Sequence, residues 1–290
     1  MQAKDPAVEA RLGYLLASGN PTAPGTPAVL DRSLRSLLKR LGGGRRAPRS
    51  KADDFAVSRA AALNAVMPKG EMEQLFYAHG GKIAIKWHHY LEIYERHFER
   101  FRHRTSPVRL LELGIGRGGS LQIWRAYFGP AAKIVGIDID PACQKRVEGD
   151  TVAITGDQSD PAALDAALDR LGGGVDIVID DGSHLAAHQV ASFQYLYPRL
   201  SDDGIYLCED LHAAYWPEFD GGYRREGTFI EHAKTLIDQL HAWYLEGELS
   251  ERFAEFAGST YGIFVYRDVI VIEKRRMERP FHVQFGQGQL

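Results

Sequence analysis

A strand, a glycine-rich loop and the start of a helix follow one another in residues 109–120, which are RLLELGIGRGGS. The apolar run predicts a buried strand, and the glycines allow the backbone to turn sharply and to approach a ligand closely. The following helix offers free backbone N–H groups at its N-terminus. Gly114, Gly116 and Gly119 also satisfy the dinucleotide pattern GxGxxG, so this loop by itself predicts a nucleotide-like cofactor without identifying it.

Strand and helix signals alternate along the chain after this loop. Before it, the chain is helical in pattern from about residue 71, with aromatic and aliphatic residues at helical spacing over 88–98. We predict strands at 108–113, 133–137, 151–155, 175–179 and 205–208, and helices at 121–127, 161–171 and 185–197. Strands separated by helices of about 10–15 residues predict right-handed βαβ units in a mostly parallel sheet. Two further strands, 261–266 and 269–273, are joined by Arg267-Asp268, which predicts a C-terminal antiparallel hairpin. The fold class is therefore α/β, with helices on both faces of the sheet.

Composition and charge exclude several classes of protein. The chain has 290 residues, of which 44% are apolar and 25% charged, as in ordinary globular enzymes. Its 35 Lys and Arg against 38 Asp and Glu give no basic field for nucleic acid. No apolar run approaches the roughly 20 residues of a membrane helix. The start of the chain lacks a secretion signal and Cys143 and Cys208 are too few for a disulfide framework, so we expect a cytoplasmic enzyme.

The first part of the chain differs in composition from the rest. Residues 21–27 contain three prolines and predict a linker, and leucines at helical spacing across 30–41 predict an amphipathic helix. Residues 42–51, GGGRRAPRSK, predict a solvated basic linker. We therefore expect an N-terminal helical and linker extension at 1–70 and a catalytic domain at 71–290.

Acidic residues follow the first three predicted strands. Asp138 ends the second strand, 24 residues after Gly114, where a carboxylate can accept both hydroxyls of a ribose. Asp157 follows the third strand and could accept a hydrogen bond from an adenine amino group or precede the next helix as a cap. Acidic residues at the ends of three strands favour S-adenosylmethionine as the cofactor, because its sulfonium and amino groups are cationic. NAD would place its anionic pyrophosphate beside Glu112, but an NAD-dependent oxidoreductase stays open as an alternative.

Two further acidic motifs close the fourth and fifth strands. Residues 179–184 are IDDGSH and residues 208–210 are CED. Because the carboxyl ends of parallel strands meet at one edge of a sheet, we expect these carboxylates to converge there around a cation. Oxygen ligands suit Mg²⁺ better than zinc. Asp180 could instead cap the following loop.

His184 is the candidate general base of this pocket. It lies three residues after Asp181, so both side chains could face the same cleft. Imidazole is the side chain most often used for proton transfer near neutral pH. Ser183 fits the N-cap of the next helix better than a catalytic role.

Taken together, these motifs resemble the class I S-adenosylmethionine-dependent O-methyltransferases of antibiotic deoxysugar tailoring, over roughly residues 75–275. The most specific feature is DDGSH followed by ED, 28 residues after its second aspartate. The resemblance implies a Rossmann-like class I methyltransferase fold, S-adenosylmethionine and Mg²⁺ as cofactors, and a small-molecule glycoside as the acceptor in secondary metabolism. It also implies a homo-oligomer, dimer or tetramer, for which the leucine stripe at 30–41 is a candidate surface.

The resemblance also assigns roles to individual positions. His184 becomes the catalytic base, and the Mg²⁺ ligands become Asp181, Glu209 and Asp210. The cofactor-binding candidates are Glu112, Gly114, Gly116, Asp138, Asp157 and Asp180.

Aromatic side chains supply the candidate acceptor contacts. Residues 211–227 combine aromatic residues with Gly221-Gly222, which suits a lid that stacks on a sugar ring. The segment 88–90 corresponds to one near the active site in the resembling family. The substrate candidates are His88, Tyr90, Tyr215 and Trp216. A phenolic, catechol or polyketide hydroxyl is the alternative acceptor, since two adjacent oxygens could meet the same Mg²⁺.

Overall fold

A seven-stranded sheet organises the part of the chain that the computed structural model describes, residues 68–246 and 251–286. Its strands are β1 (Arg109–Leu113), β2 (Lys133–Asp138), β3 (Val152–Thr155), β4 (Val175–Asp180), β5 (Leu200–Cys208), β6 (Thr260–Val265) and β7 (Ile270–Lys274). The strand order is β3-β2-β1-β4-β5-β7-β6. Strands β1 to β5 are parallel, and β7 pairs antiparallel with both β5 and β6. The predicted parallel sheet with a C-terminal antiparallel hairpin is confirmed.

Helices cover both faces of this sheet. They are α1 (Glu71–Ala78), α2 (Tyr90–Arg102), α3 (Gly119–Phe128), α4 (Pro161–Leu171), α5 (Ala186–Leu196), α6 (Phe229–Leu240) and α7 (Glu251–Ser259). Side chains alternate along each strand, so Leu110 of β1 packs with α1, α2 and α3, while its neighbour Leu111 packs with α4 to α7. The two apolar layers fix the sheet between the helices and leave its strand ends as the edge on which a site can form.

Two helices were not predicted, although one of them carries a clear signal. In α6, Phe229, Ala233 and Leu236 are buried at helical spacing, and Thr228 caps the helix by accepting a hydrogen bond from the Glu231 N–H. Strand β5 also begins at Leu200, five residues before the predicted start at Ile205. The exposed Asp202-Asp203 pair masked this first half of the strand.

Glycine at position 114 allows the loop after β1 to pack closely against the loop after β4. Its φ angle is +80°, and a Cβ atom there would lie 2.2 Å from the carbonyl oxygen of Asp181. The loop after β1 and the loop after β4 therefore touch backbone to backbone, and the Asp181 N–H donates to the Leu113 carbonyl at 3.0 Å. This contact brings the glycine-rich loop and the DDGSH motif together at one edge of the sheet.

The predicted N-terminal features fall outside this description. The linkers and the leucine stripe at 30–41 lie outside residues 68–246 and 251–286, and the domain boundary at residue 70 stays a prediction. Within these two ranges, no helix combines the length and the apolar character needed to span a membrane.

One charged side chain lies inside the core, because Glu112 of β1 is fully buried. Its Oε2 accepts a hydrogen bond from the Ser120 hydroxyl at 2.8 Å, and its Oε1 lies 3.7 Å from the Nζ of Lys86. Burial raises the pKa of Glu112 from its ordinary 4.5 to about 7, although Lys86 opposes this change. In the structure this carboxylate supports the start of α3 from beneath, and its contact with a cofactor stays a prediction.

Replacing this carboxylate by an amide should make the stability of the protein less dependent on pH. With a raised pKa, the contribution of Glu112 to stability is fully present below about pH 4.5 and is lost as the pH rises through about 7. At about 1.36 kcal/mol per pKa unit, the loss is at most about 3 kcal/mol. We expect Glu112→Gln to show a smaller drop in melting temperature than the wild type between about pH 5 and pH 8. Glu99→Gln, at an exposed position of α2, is the control, and equal slopes for all three proteins would contradict the assignment.

Candidate active site

Three side chains meet at the carboxyl ends of β4 and β5. Asp181, His184 and Asp210 each place one potential ligand atom within 4.8 Å of the others. The Nε2 of His184 lies 3.6 Å from the Oδ2 of Asp210 and 3.9 Å from the Oδ1 of Asp181. His184 and Asp210 have φ angles of 56° and 54°, in the left-handed region that non-glycine residues seldom adopt. The predicted convergence of the two acidic motifs is present.

Helix α2 and the residues before it orient the Asp210 carboxylate. Its Oδ1 accepts hydrogen bonds from the Tyr90 hydroxyl at 2.8 Å and from the Trp87 Nε1 at 3.1 Å, so its Oδ2 is the oxygen near His184. Burial raises the pKa of Asp210, but the neighbouring His184 and His212 rings and the Tyr90 hydroxyl outweigh burial, and the pKa lies below its usual range. Tyr90 is fully buried and holds Asp210, and its contact with the acceptor stays a prediction.

Lys86 is a site residue that the sequence analysis missed. Its Nζ donates to the Oδ2 of Asp181 at 2.5 Å and to the Oε2 of Glu209 at 2.8 Å, and its side chain is only 3% exposed. Burial lowers the pKa of Lys86, but the surrounding carboxylates raise it by more. The net pKa of Lys86 is therefore well above its ordinary value. No local pattern distinguishes this lysine, because only the fold brings it to the strand ends.

Glu209 lies behind the three-residue cluster. Its Oε2 is bound by Lys86, and its Oε1 accepts a hydrogen bond from the Tyr94 hydroxyl at 2.5 Å. The structure thus places His184, rather than Glu209, beside the two aspartates. For Glu209 to bind a metal directly, one of these two hydrogen bonds would have to be replaced.

Asp180 supports the site from within the core. It is fully buried and accepts hydrogen bonds from the Tyr206 hydroxyl at 2.7 Å and the Gln158 side-chain amide at 2.9 Å. Burial raises its pKa to about 6. In the structure Asp180 holds its loop, and its contact with a cofactor stays a prediction. Gln158 was not predicted, and its Oε1 also accepts from the Ser183 N–H at 2.6 Å.

Ser183 is not the cap of α5. The helix begins after Leu185, whose N–H donates to the Ser183 hydroxyl at 3.3 Å. The hydroxyl also lies 3.1 Å from the Nδ1 of His188. Ser183 therefore shapes the turn that leads from His184 into the helix.

Asp138 closes the glycine-rich loop. Its Oδ2 accepts hydrogen bonds from the N–H groups of Ile115 and Gly116, both at 3.2 Å. Gly116 has a φ angle of +47° and open space where a Cβ atom would lie. The carboxylate predicted to meet a ribose therefore stands against the loop predicted to hold the rest of the cofactor.

Asp157 stands at the end of the neighbouring strand β3. Its Oδ1 accepts from the Ser159 N–H at 2.8 Å and from the Ser159 hydroxyl at 2.7 Å, and its side chain is 42% exposed. The helix cap considered for it belongs to Asp160, whose carboxylate accepts from the Ala162 N–H. Asp157 is thus a turn residue with room for a ligand beside it.

Aromatic rings border the cluster on the side of residues 211–219. The His212 ring lies 4.7 Å from Trp216 and 5.7 Å from Trp87, and the Phe219 ring lies 6.2 Å from His184. Tyr215 and His88 are exposed, whereas Trp216 is partly buried among these rings. Three of the four predicted acceptor residues therefore remain available for contact with a ligand.

Comparison with known proteins agrees with this geometry. Residues 84–211 match the model of the FtsJ-like methyltransferase family. Over 220 residues the chain is 40% identical to 8-demethyl-8-(2-methoxy-alpha-L-rhamnosyl)-tetracenomycin-C 3'-O-methyltransferase of Streptomyces olivaceus, a match covering 71% of this chain and 54% of that protein. Over 200 residues it is 36% identical to mycinamicin VI 2''-O-methyltransferase of Micromonospora griseorubida, covering 65% and 49%.

A solved structure extends the similarity to the fold. It is the MycE methyltransferase of the mycinamycin biosynthetic pathway in complex with Mg and SAH, with a TM-score of 0.63 and 31% identity. The match covers 86% of this chain and 62% of that one. The chain spans about half the length of the curated relatives it matches. The fold is thus that of a Rossmann-like methyltransferase, residues 84–211 match the FtsJ-like methyltransferase model, and the chain is similar in sequence to sugar O-methyltransferases of antibiotic pathways.

Proposed function

We propose that this chain transfers a methyl group from S-adenosylmethionine to a hydroxyl of a sugar on a natural-product glycoside, with Mg²⁺ as a second cofactor. The observation that carries the proposal is the cluster of Asp181, His184 and Asp210 beside the glycine-rich loop. The names of the two relatives describe O-methylation in rhamnosyl tetracenomycin and mycinamicin. A second MycE structure contains Mg, SAH and mycinamycin VI together.

The cofactor would lie along the ends of β1, β2 and β3. Gly114 and Gly116 form the loop, Asp138 stands against it, and the N-terminus of α3 follows it. Asp138 is placed to accept ribose hydroxyls, and Asp157 an adenine amino group. S-adenosylmethionine, when bound here, supplies the methyl group on its sulfonium. The relatives described above are methyltransferases, which favours this cofactor over the NAD of the oxidoreductase alternative.

Asp181, Asp210 and Glu209 are the residues that would hold Mg²⁺, Glu209 once one of its two hydrogen bonds is replaced. Their carboxylate oxygens are the ligand type that this ion prefers, and they lie on the strand ends where a glycoside could approach. Mg²⁺, when bound here, would lower the pKa of a sugar hydroxyl and fix its direction. In the structure Glu209 accepts a hydrogen bond from Lys86, which also donates to Asp181.

His184 would take the proton of the acceptor hydroxyl. An aliphatic alcohol is a weak nucleophile at neutral pH, so its proton must leave as the methyl group moves. The Nε2 of His184 lies 3.6 Å from Asp210 and 3.9 Å from Asp181, next to the carboxylates that would hold the metal. The aromatic rings of Trp216 and Phe219 border this position and exclude water from one side.

The cofactor assignment is tested by calorimetric titration with S-adenosylhomocysteine and, separately, with NAD. We expect binding of S-adenosylhomocysteine alone, and a loss of about tenfold or more in affinity for Asp138→Asn, because a charge-assisted hydrogen bond is removed. Asp169→Asn, at an exposed position of α4, is the matched control. Binding of NAD in place of S-adenosylhomocysteine would overturn the methyltransferase assignment.

The base is tested by His184→Ala. We expect turnover to fall about 10²–10⁴-fold while the affinity for S-adenosylhomocysteine stays unchanged, because only the proton transfer is lost. Transfer of labelled methyl from S-adenosylmethionine to a panel of rhamnosyl and deoxyhexosyl glycosides measures turnover. His103→Ala, at an exposed site after α2, should behave as wild type. Unchanged turnover in His184→Ala would remove His184 from the mechanism.

The metal assignment is tested by Asp181→Asn. We expect the affinity for Mg²⁺ to fall by at least about a hundredfold, because even residues that only orient metal ligands often contribute 10–100-fold. Calorimetric titration with Mg²⁺ measures this without an acceptor, and Asp169→Asn again serves as the control. A variant that binds Mg²⁺ as tightly as the wild type would contradict the assignment.

A further inference from the structure

Lys86 divides the acidic residues of the site into two groups. Behind it lie Glu112 and Glu209, both fully buried. In front of it lie Asp210, whose side chain is partly exposed, and the buried His184. Asp181 belongs to both groups, since its Oδ2 is bound by Lys86 at 2.5 Å while its Oδ1 lies 3.9 Å from the His184 ring.

The ammonium of Lys86 compensates charges that cannot reach water. A buried carboxylate without a partner is strongly unfavourable, and two of the three carboxylates near this ammonium are fully buried. The hydroxyl of Tyr94 satisfies the other oxygen of Glu209 but carries no charge. Within residues 68–246 and 251–286, Lys86 is therefore the group that balances these carboxylates when no other cation is present.

A divalent cation and this ammonium would share the carboxylate of Asp181, the metal near Oδ1 and the ammonium on Oδ2. Both are positive and both require Asp181, so they repel each other at contact distance in a poorly solvated site. Resting on the function proposed above, we infer that Lys86 is an internal competitor of Mg²⁺. Loading the metal places a second positive charge on the Asp181 carboxylate and weakens its bond to Lys86, and the metal affinity of the site is set below the value that its carboxylates alone would give.

The segment that carries Lys86 makes this competition specific to one lysine. Lys82, four residues earlier, donates to the Arg146 carbonyl at 2.7 Å and pairs with Glu148 at 2.7 Å, away from the acidic cluster. Its backbone packs on the start of α3, where a Cβ atom on Gly119 would lie 2.4 Å from the Lys82 carbonyl oxygen. Lys82 thus shares the segment and the charge of Lys86 without its position, and Lys82→Met is a matched control.

The experiment compares Mn²⁺ binding by the wild type, Lys86→Met, Lys86→Gln and Lys82→Met, followed by electron paramagnetic resonance of free Mn²⁺. We expect the two Lys86 variants to bind Mn²⁺ at least about tenfold more tightly than the wild type, because a competing positive charge is removed. Lys82→Met should match the wild type. Without metal, the Lys86 variants should melt at a lower temperature and should recover more on addition of Mg²⁺ than the wild type does.

A purely structural lysine would lower the melting temperature without increasing the affinity for metal. Folded Lys86 variants that bind S-adenosylhomocysteine but bind Mn²⁺ no more tightly than the wild type would overturn the inference alone. If neither the wild type nor the variants bind a divalent cation, the metal part of the proposed function fails and the inference fails with it. Binding by the variants but not by the wild type would support the inference.

A measurement on the wild type covers the case in which the variants do not fold. The side-chain ammonium signal of Lys86 can be followed by ¹⁵N NMR and assigned by its absence in Lys86→Arg. We expect Mg²⁺ to shift this signal while the signal of Lys82 stays in place. A Lys86 signal that does not move at saturating Mg²⁺ would contradict the weakening of its bond to Asp181.

Discussion

Three neighbouring parallel strands end in carboxylates, and the arrangement requires a positive charge among them. Glu112, Asp181 and Glu209 stand at or beside the ends of β1, β4 and β5, and all three lie within 4.0 Å of the Lys86 ammonium. Mutual repulsion and loss of hydration would otherwise oppose this packing. The segment before α2 must therefore reach across the sheet edge, and the position of α2 follows from that requirement.

The same helix also sets the chemistry of the outer half of the site. Tyr90, at the start of α2, and Trp87, just before it, both donate to one oxygen of Asp210, which leaves the other oxygen beside His184. Helix α2 thus neutralises the inner carboxylates through Lys86 and directs an outer one through these donors. Residues that support a site from behind commonly determine how well its ligands are oriented. A change in this helix would therefore alter cofactor chemistry without touching a cofactor.

The parts of this site that could be predicted are those encoded by short, local patterns. The glycine loop, DDGSH and ED motifs each follow a strand, and parallel strands end at a common edge, so their meeting followed from the sequence. Lys86, Tyr90 and Gln158 act through partners 22 to 123 residues away. No sequence pattern next to these residues predicts those contacts. For the same reason, the burial of Glu112 and Asp180 became visible only with the packing of the sheet.

The acceptor side of the site is built differently from the cofactor side. The glycine loop and the acidic motifs stand on strand ends that the whole sheet fixes, whereas the aromatic rings near His184 belong to residues 211–219, which form short 3-10 turns. Loops tolerate change better than the sheet that carries them. Relatives named for different hydroxyls, the 3' and 2' positions of rhamnosyl tetracenomycins and the 2'' position of mycinamicin VI, share 36–42% identity with this chain. In the proposed reaction, we therefore expect the aromatic loop to contact the acceptor, while the acidic cluster and its lysine serve the methyl transfer itself.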